Sequence, residues 1–283
     1  MLTALALALI IGGLAYHFFA LTVFNALVPK DPGVETAARD VAFGPDDRQR
    51  LDVYRPSLRH GTLPIVVFVY GGSWKEGARG NYAFAGMALA AQGYVAMVAD
   101  YRLVPDHLFP AFVEDAASAI AFAQAEGARF GGDVTRIYVV GHSAGGYNLA
   151  QAILDPRYLK AAGCDPCNLK AAALLAAPLD FLPLDSPATI AAFGTVADLA
   201  ATQPVNYARA GAPPLLLLTG TGDTTVRPRN SRNLHQRLLA AGAQAMLKEY
   251  VGLSHAGLIL ALSKPLRARA PVLADITAFF AAH

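Results

Sequence analysis

Arg136-Ile137-Tyr138-Val139-Val140-Gly141-His142-Ser143-Ala144-Gly145-Gly146-Tyr147 is the stretch that decides the fold. Up to Val140 it is apolar and β-branched, the pattern of a strand buried on both faces. From Tyr147 to Leu154 the pattern becomes helical. Between them lies Gly-x-Ser-x-Gly, whose small residues let a strand and the following helix approach closely. A serine on that sharp turn sits on strained backbone with its hydroxyl exposed. The free N–H groups of the helix N-terminus then face any negative charge that develops beside it.

On both sides of this stretch, strand-like runs alternate with helical ones. Strands are expected at Gln49–Tyr54, Ile65–Tyr70, Tyr94–Ala99, Ala171–Ala176, Leu215–Thr219 and Met246–Tyr250. Helices are expected over Tyr82–Gln92, Phe112–Glu126, Arg229–Ala241 and Ala270–Ala281, three of them closed by Gly93, Gly127 and Gly242. Such alternation predicts an α/β fold: a mostly parallel central sheet with helices on both faces. Residues 180–214 are Pro- and Ala-rich and fit no strand, so a small cap is expected there within a catalytic domain over 45–283.

A serine hydroxyl needs a base to take its proton, and the base needs a carboxylate to orient it. On a strand-turn-helix serine these follow in the order Ser, Asp or Glu, His. Asp223 follows a buried-strand run, Leu215–Thr219, in the loop Gly220-Thr221-Gly222, where functional residues of open α/β sheets collect. Asp180 is the rival acid. Among seven histidines, His255 stands in the loop after the last predicted strand. His107 precedes the serine and breaks the order, and His142 adjoins the serine with its side chain expected to point away from the hydroxyl.

Tyr70-Gly71-Gly72-Ser73-Trp74 closes the strand from Ile65, and its glycine pair frees backbone N–H groups to face a substrate oxygen together with that of Ala144. With this loop, Asp100-Tyr101-Arg102-Leu103-Val104-Pro105 and Gly141–Gly146 in this order, the chain resembles the α/β-hydrolase esterases: the hormone-sensitive-lipase-like, carboxylesterase and arylformamidase group. The resemblance covers about residues 45–282 and implies an α/β-hydrolase fold. By position it implies an oxyanion hole built from the N–H groups of Gly72, Ser73 and Ala144. Trp74 is a candidate for the substrate pocket, with a packing role as the alternative. One residue departs from the family: Tyr70 stands where the loop usually carries histidine, so another hydrogen bond must hold the loop. Loss of one good oxyanion donor costs on the order of 3 kcal/mol. Asp100 and Arg102 are expected to form a buried structural pair.

Composition narrows the function further. The net charge of +2 is small and the Lys and Arg residues are scattered, so no footprint for nucleic acid is present. Hydrophobic residues make up 54% and charged residues 16%, consistent with a sheet covered on both faces plus an apolar leader. Residues 1–28 contain no Asp, Glu, Lys or Arg, long enough to cross a bilayer. They read as an N-terminal hydrophobic transmembrane helix, with a cleaved signal peptide or a helix docked on the protein as alternatives. Residues 29–44 read as a linker. Cys164 and Cys167 are too few for a structural zinc site; they read as a local disulfide or two thiols, leaning weakly to a non-cytoplasmic compartment. The expected activity is hydrolysis of a small-molecule ester by Ser143, His255 and Asp223, with no cofactor or metal. An amidase or peptidase with the same groups is the first alternative, and a non-catalytic membrane-anchored scaffold the second.

Overall fold

In the computed structural model, residues 21–165 and 168–283 are described. Eight strands form one sheet in the order β1-β2-β4-β3-β5-β6-β7-β8. They are β1 (Val34–Ala42), β2 (Arg50–Pro56), β3 (Leu63–Val69), β4 (Val95–Ala99), β5 (Gly132–His142), β6 (Leu169–Leu175), β7 (Leu215–Gly220) and β8 (Ala245–Tyr250). The first two strands pair antiparallel, and β2 meets β4 antiparallel. Every remaining pair, from β4-β3 through β7-β8, is parallel.

The parallel centre forms where the sequence is continuously apolar. Ile65 to Phe68 and Leu215 to Leu218 have no exposed surface, because helices cover both faces. Helices Ala83–Ala90, Ala111–Glu126, Ser143–Leu154 and Val272–Ala281 supply that cover. Each side chain of this size removed from water contributes on the order of 2 kcal/mol, so the sheet centre is where stability concentrates.

Two expectations are revised. Residues 34–42, read as part of a linker, form the edge strand β1, which pairs with β2 through two register shifts. The segment 180–214 folds into a helix, Pro187–Phe193, and two 3₁₀ turns. It packs inward through Phe193 against Trp74 and Tyr147, and none of it borders the pocket at Ser143. As for the apolar N-terminus, residues 1–20 lie outside the described residues. Residues 21–27 are helical and dock on the domain, where the Phe24 ring meets that of Phe84 edge-on at 5.3 Å. Among the described residues no helix is long and apolar enough to cross a membrane. Cys164 carries a buried free thiol, pushed up to about 11 by burial, while Cys167 is outside the described residues.

Candidate active site

The serine turn has the geometry its sequence demands. Ser143 has φ of 53° at the junction of β5 and the helix Ser143–Leu154, a left-handed conformation that a non-glycine residue adopts only under tertiary constraint. The constraint is visible at Gly145: a Cβ there would lie 2.3 Å from the carbonyl oxygens of both Val69 and Tyr70. Helix start and oxyanion loop therefore touch through bare backbone.

Three loops deliver one chain of hydrogen bonds. Ser143 Oγ lies 2.9 Å from His255 Nε2, and His255 Nδ1 lies 2.8 Å from Asp223 Oδ2. Because the carboxylate only accepts, the network fits an imidazole protonated at Nδ1, which leaves Nε2 free to accept the serine proton. Asp223 is 3% exposed, and its other oxygen accepts from the backbone N–H groups of Thr225 and Val226 at 2.9 and 2.8 Å. With those partners a buried carboxylate stays satisfied and fixed. The loops bearing acid and base are laced together: Thr221 N donates to Tyr250 O, Gly222 N to Leu253 O, and Gly252 N to Thr221 Oγ1. His255 itself opens a short helix, His255–Leu260, capped by Ser254, rather than standing in an open loop.

His142 packs beside His255. Its ring lies 4.8 Å from that of His255, and its Nε2 lies 3.3 Å from the His255 carbonyl oxygen. Burial first, and the neighbouring His255 second, hold its pKa well below the usual histidine range. It is therefore a neutral donor that ties the serine turn to the base. The rivals lie elsewhere in the fold. His107 faces Asp46 at 3.4 Å, and Asp180 accepts from Asn233 at 2.6 Å.

Tyr70 anchors the loop Tyr70–Trp74, where an oxyanion hole is expected. Its hydroxyl donates to Asp100 Oδ1 at 2.5 Å and accepts from Arg48 Nη2 at 2.8 Å. Its ring stacks on Tyr82 at 4.8 Å, and the Tyr82 hydroxyl donates to Gly71 O at 3.0 Å. Burial, then the Asp100 charge, raise the Tyr70 pKa well above the ordinary value, so the hydroxyl keeps its proton. Asp100 does not pair with Arg102. It binds Arg79 through side chain and backbone, while Arg102 grips Asp115 and Glu114. Each has its partner on a different element: Arg79 on the turn Arg79–Tyr82, and Glu114 and Asp115 on the helix Ala111–Glu126. Ser73 and Trp74 both have positive φ, 53° and 59°. Trp74 is a packing residue, 3% exposed, donating to Asn148 Oδ1 at 2.9 Å and absent from the pocket wall. Gly72 and Ser73 border the pocket, and Ala144 is buried at the first turn of the serine helix.

The pocket in front of Ser143 encloses about 700 Å³. Its wall joins Gly71–Ser73, Ser143 and His255 to Leu21, Phe24, Tyr82, Ile259 and Leu260. Among the described residues no cluster of three or more His, Cys, Asp or Glu is placed to hold a metal ion.

Strand-turn-helix serine, laced acid and base loops and a mostly parallel sheet define an α/β-hydrolase. The chain superposes on esterase B from Lactobacillus rhamnosis with a TM-score of 0.84 at 20% identity, covering 100% of this chain and 96% of that one. An esterase of Pyrobaculum calidifontis superposes at 0.74 and 24% identity, covering 94% and 91%. Within that fold, the prolyl oligopeptidase family profile matches residues 112–283, and the chain belongs to that family. A second profile, BD-FAE, matches residues 51–154. A probable isoprenylcysteine alpha-carbonyl methylesterase of Oryza sativa subsp. japonica is 32% identical over 255 residues, 81% of this chain and 59% of that protein. Esterase LipC of Mycobacterium tuberculosis is 42% identical over 125 residues, 42% of this chain and 31% of that protein. The chain thus spans about three-fifths or less of the length of these two curated relatives.

Proposed function

We propose that this chain hydrolyses carboxylic esters through an acyl-enzyme on Ser143. The observation that carries the reading is the hydrogen-bonded run Ser143–His255–Asp223 opening into a largely apolar pocket. His255 Nε2 takes the hydroxyl proton as Oγ attacks the ester carbonyl, and Asp223 holds the imidazole in register and stabilises the imidazolium. The N–H groups of Gly72, Ser73 and Ala144 receive the oxyanion. His255 returns the proton to the leaving alcohol; water then attacks the acyl carbonyl as His255 takes its proton, and His255 passes that proton to Ser143 Oγ as the ester bond to Ser143 breaks and the acid leaves. The esterase names of the similar proteins support the ester as the scissile bond.

The peptidase family profile favours a second reading, in which the same groups cleave an amide. A matched ester and anilide of butyric acid separate the two, and the ester is expected to be cleaved at least 100-fold faster. Reaction with a fluorophosphonate, followed by peptide mass spectrometry, tests the nucleophile. The adduct is expected on Ser143; modification of another residue, or none, contradicts the mechanism.

A further inference from the structure

The pocket in front of Ser143 takes part of its wall from the helix at residues 21–27. Positions 21, 24, 25 and 28 fall on one face of that helix by their spacing. The face is turned to the domain. The Phe24 ring packs edge-on against Phe84, Asn25 Nδ2 donates to Gly80 O at 2.8 Å and Asn25 Oδ1 accepts from Phe84 N at 3.1 Å. Val28 is 7% exposed, whereas Leu27, off that face, is 77% exposed. Leu21 and Phe24 thus point inward, and both border the cavity.

A second helix, His255–Leu260, gives the cavity Ile259 and Leu260. The two helices are fastened to each other. Asp31, just past the first, accepts two bonds from Arg267 at 2.9 Å, and Arg267 Nη2 also donates to Leu262 O at 2.8 Å, just past the second. A two-pronged pair of this kind fixes direction as well as distance, so the four apolar side chains are held in a set relation to His255. Among the described residues no lysine or arginine borders the cavity, and its one carboxylate is Glu76, so nothing there compensates an anionic tail.

We infer that Leu21 and Phe24 are specificity-determining residues, and that the site takes neutral esters carrying an apolar chain of several methylenes, which lies against these two side chains, Ile259 and Leu260. This rests on the esterase reading. Each methylene taken out of water against such a wall raises kcat/KM by up to about fourfold. The helix at residues 21–27 is therefore part of the substrate site as well as part of the packing.

The test places one polar residue at three positions of this helix in the full chain: Leu21→Asn and Phe24→Asn on the inward face, and Leu27→Asn off it. Hydrolysis of three esters is followed by pH-stat. Ethyl butyrate is the short reference; ethyl octanoate adds four methylenes on the acyl side, and hexyl butyrate adds four on the alcohol side. Wild type is expected to prefer at least one long ester over ethyl butyrate by about tenfold or more in kcat/KM. Leu21→Asn and Phe24→Asn are each expected to lower that long-to-short ratio about tenfold, mainly through KM, while Leu27→Asn leaves it unchanged. Leu21→Asn replaces a half-exposed side chain, so it keeps the test decisive should Phe24→Asn loosen the helix. A ratio in Leu21→Asn within threefold of wild type, an equal fall in Leu27→Asn, or a wild type with no preference for either long ester overturns the inference while leaving the esterase reading intact. Absence of Ser143-dependent hydrolysis of all three esters overturns both.

Discussion

The serine turn and the oxyanion loop meet in one backbone contact but are built by different means. Gly141 to Gly146 is held through bare backbone: Ser143 at positive φ joins strand to helix, and Gly145 presses on the Val69 and Tyr70 carbonyls. Tyr70 to Trp74 is held from outside, by Asp100 and Arg48 on the Tyr70 hydroxyl, Tyr82 on the Gly71 carbonyl and Asn148 on the Trp74 indole. A turn fixed by backbone contact has no distant side-chain hydrogen bond to lose, whereas a loop held by distant side chains shifts when any one of them is lost.

The largest effect is expected where the triad itself is cut. Asp223→Asn keeps the buried shape but favours the wrong imidazole tautomer, so kcat should fall about 10⁴-fold with little change in KM. Steady-state kinetics on p-nitrophenyl butyrate read this directly, and a loss below tenfold would remove Asp223 from its role. Next comes the contact between the two regions. Gly145→Ala forces its Cβ against two backbone carbonyls that cannot rotate away. It should destabilise the protein by about 3 kcal/mol or more, read as a large drop in Tm. An unchanged Tm would mean that the loop is loose rather than clamped.

Tyr70→Phe probes the loop alone. It deletes the hydroxyl between Asp100 and Arg48 and leaves the serine turn untouched. The expected loss is about 1–3 kcal/mol of stability, with kcat down about tenfold and the rate of Ser143 labelling reduced in step. Should Tyr70→Phe match wild type in kcat, the loop is specified by its own backbone, like the serine turn.

The smallest effect concerns His142. Its folded pKa lies below its unfolded one, so the unfolded chain binds the extra proton. Stability from this group is complete above the ordinary histidine pKa and declines as pH falls through the window beneath it. The slope is up to about 1.4 kcal/mol per pH unit. Urea unfolding between pH 7 and pH 5 should show a shallower decline for His142→Gln than for wild type. Equal slopes would contradict a neutral His142.

How far each region could be read from sequence follows the same division. The hydrogen-bonded set Ser143, His255 and Asp223 was legible because glycines and strand ends mark it locally; chain order sets aside His107, whereas Asp180 fits the order and only its place in the fold, bonded to Asn233, separates it. The parallel strands were legible as apolar runs. Beta strand β1 was not: Val34–Ala42 is half-exposed at the sheet edge, and its shifts of register at Ala38 blur any alternation. The partners of Asp100 and Arg102 and the inward packing of Trp74 depend on residues on other elements of the fold. Spacing carries no trace of such contacts. The departure of Tyr70 from the family's histidine was visible in the sequence, but its replacement network needed Arg48 and Asp100 brought together by folding.

The most direct test is the rate of p-nitrophenyl butyrate hydrolysis by the full chain beside Ser143→Ala purified identically. Turnover by the wild type that falls at least 10³-fold in the variant, with an unchanged Tm, is the predicted result. Equal rates in the two proteins would contradict a serine esterase built on Ser143, His255 and Asp223.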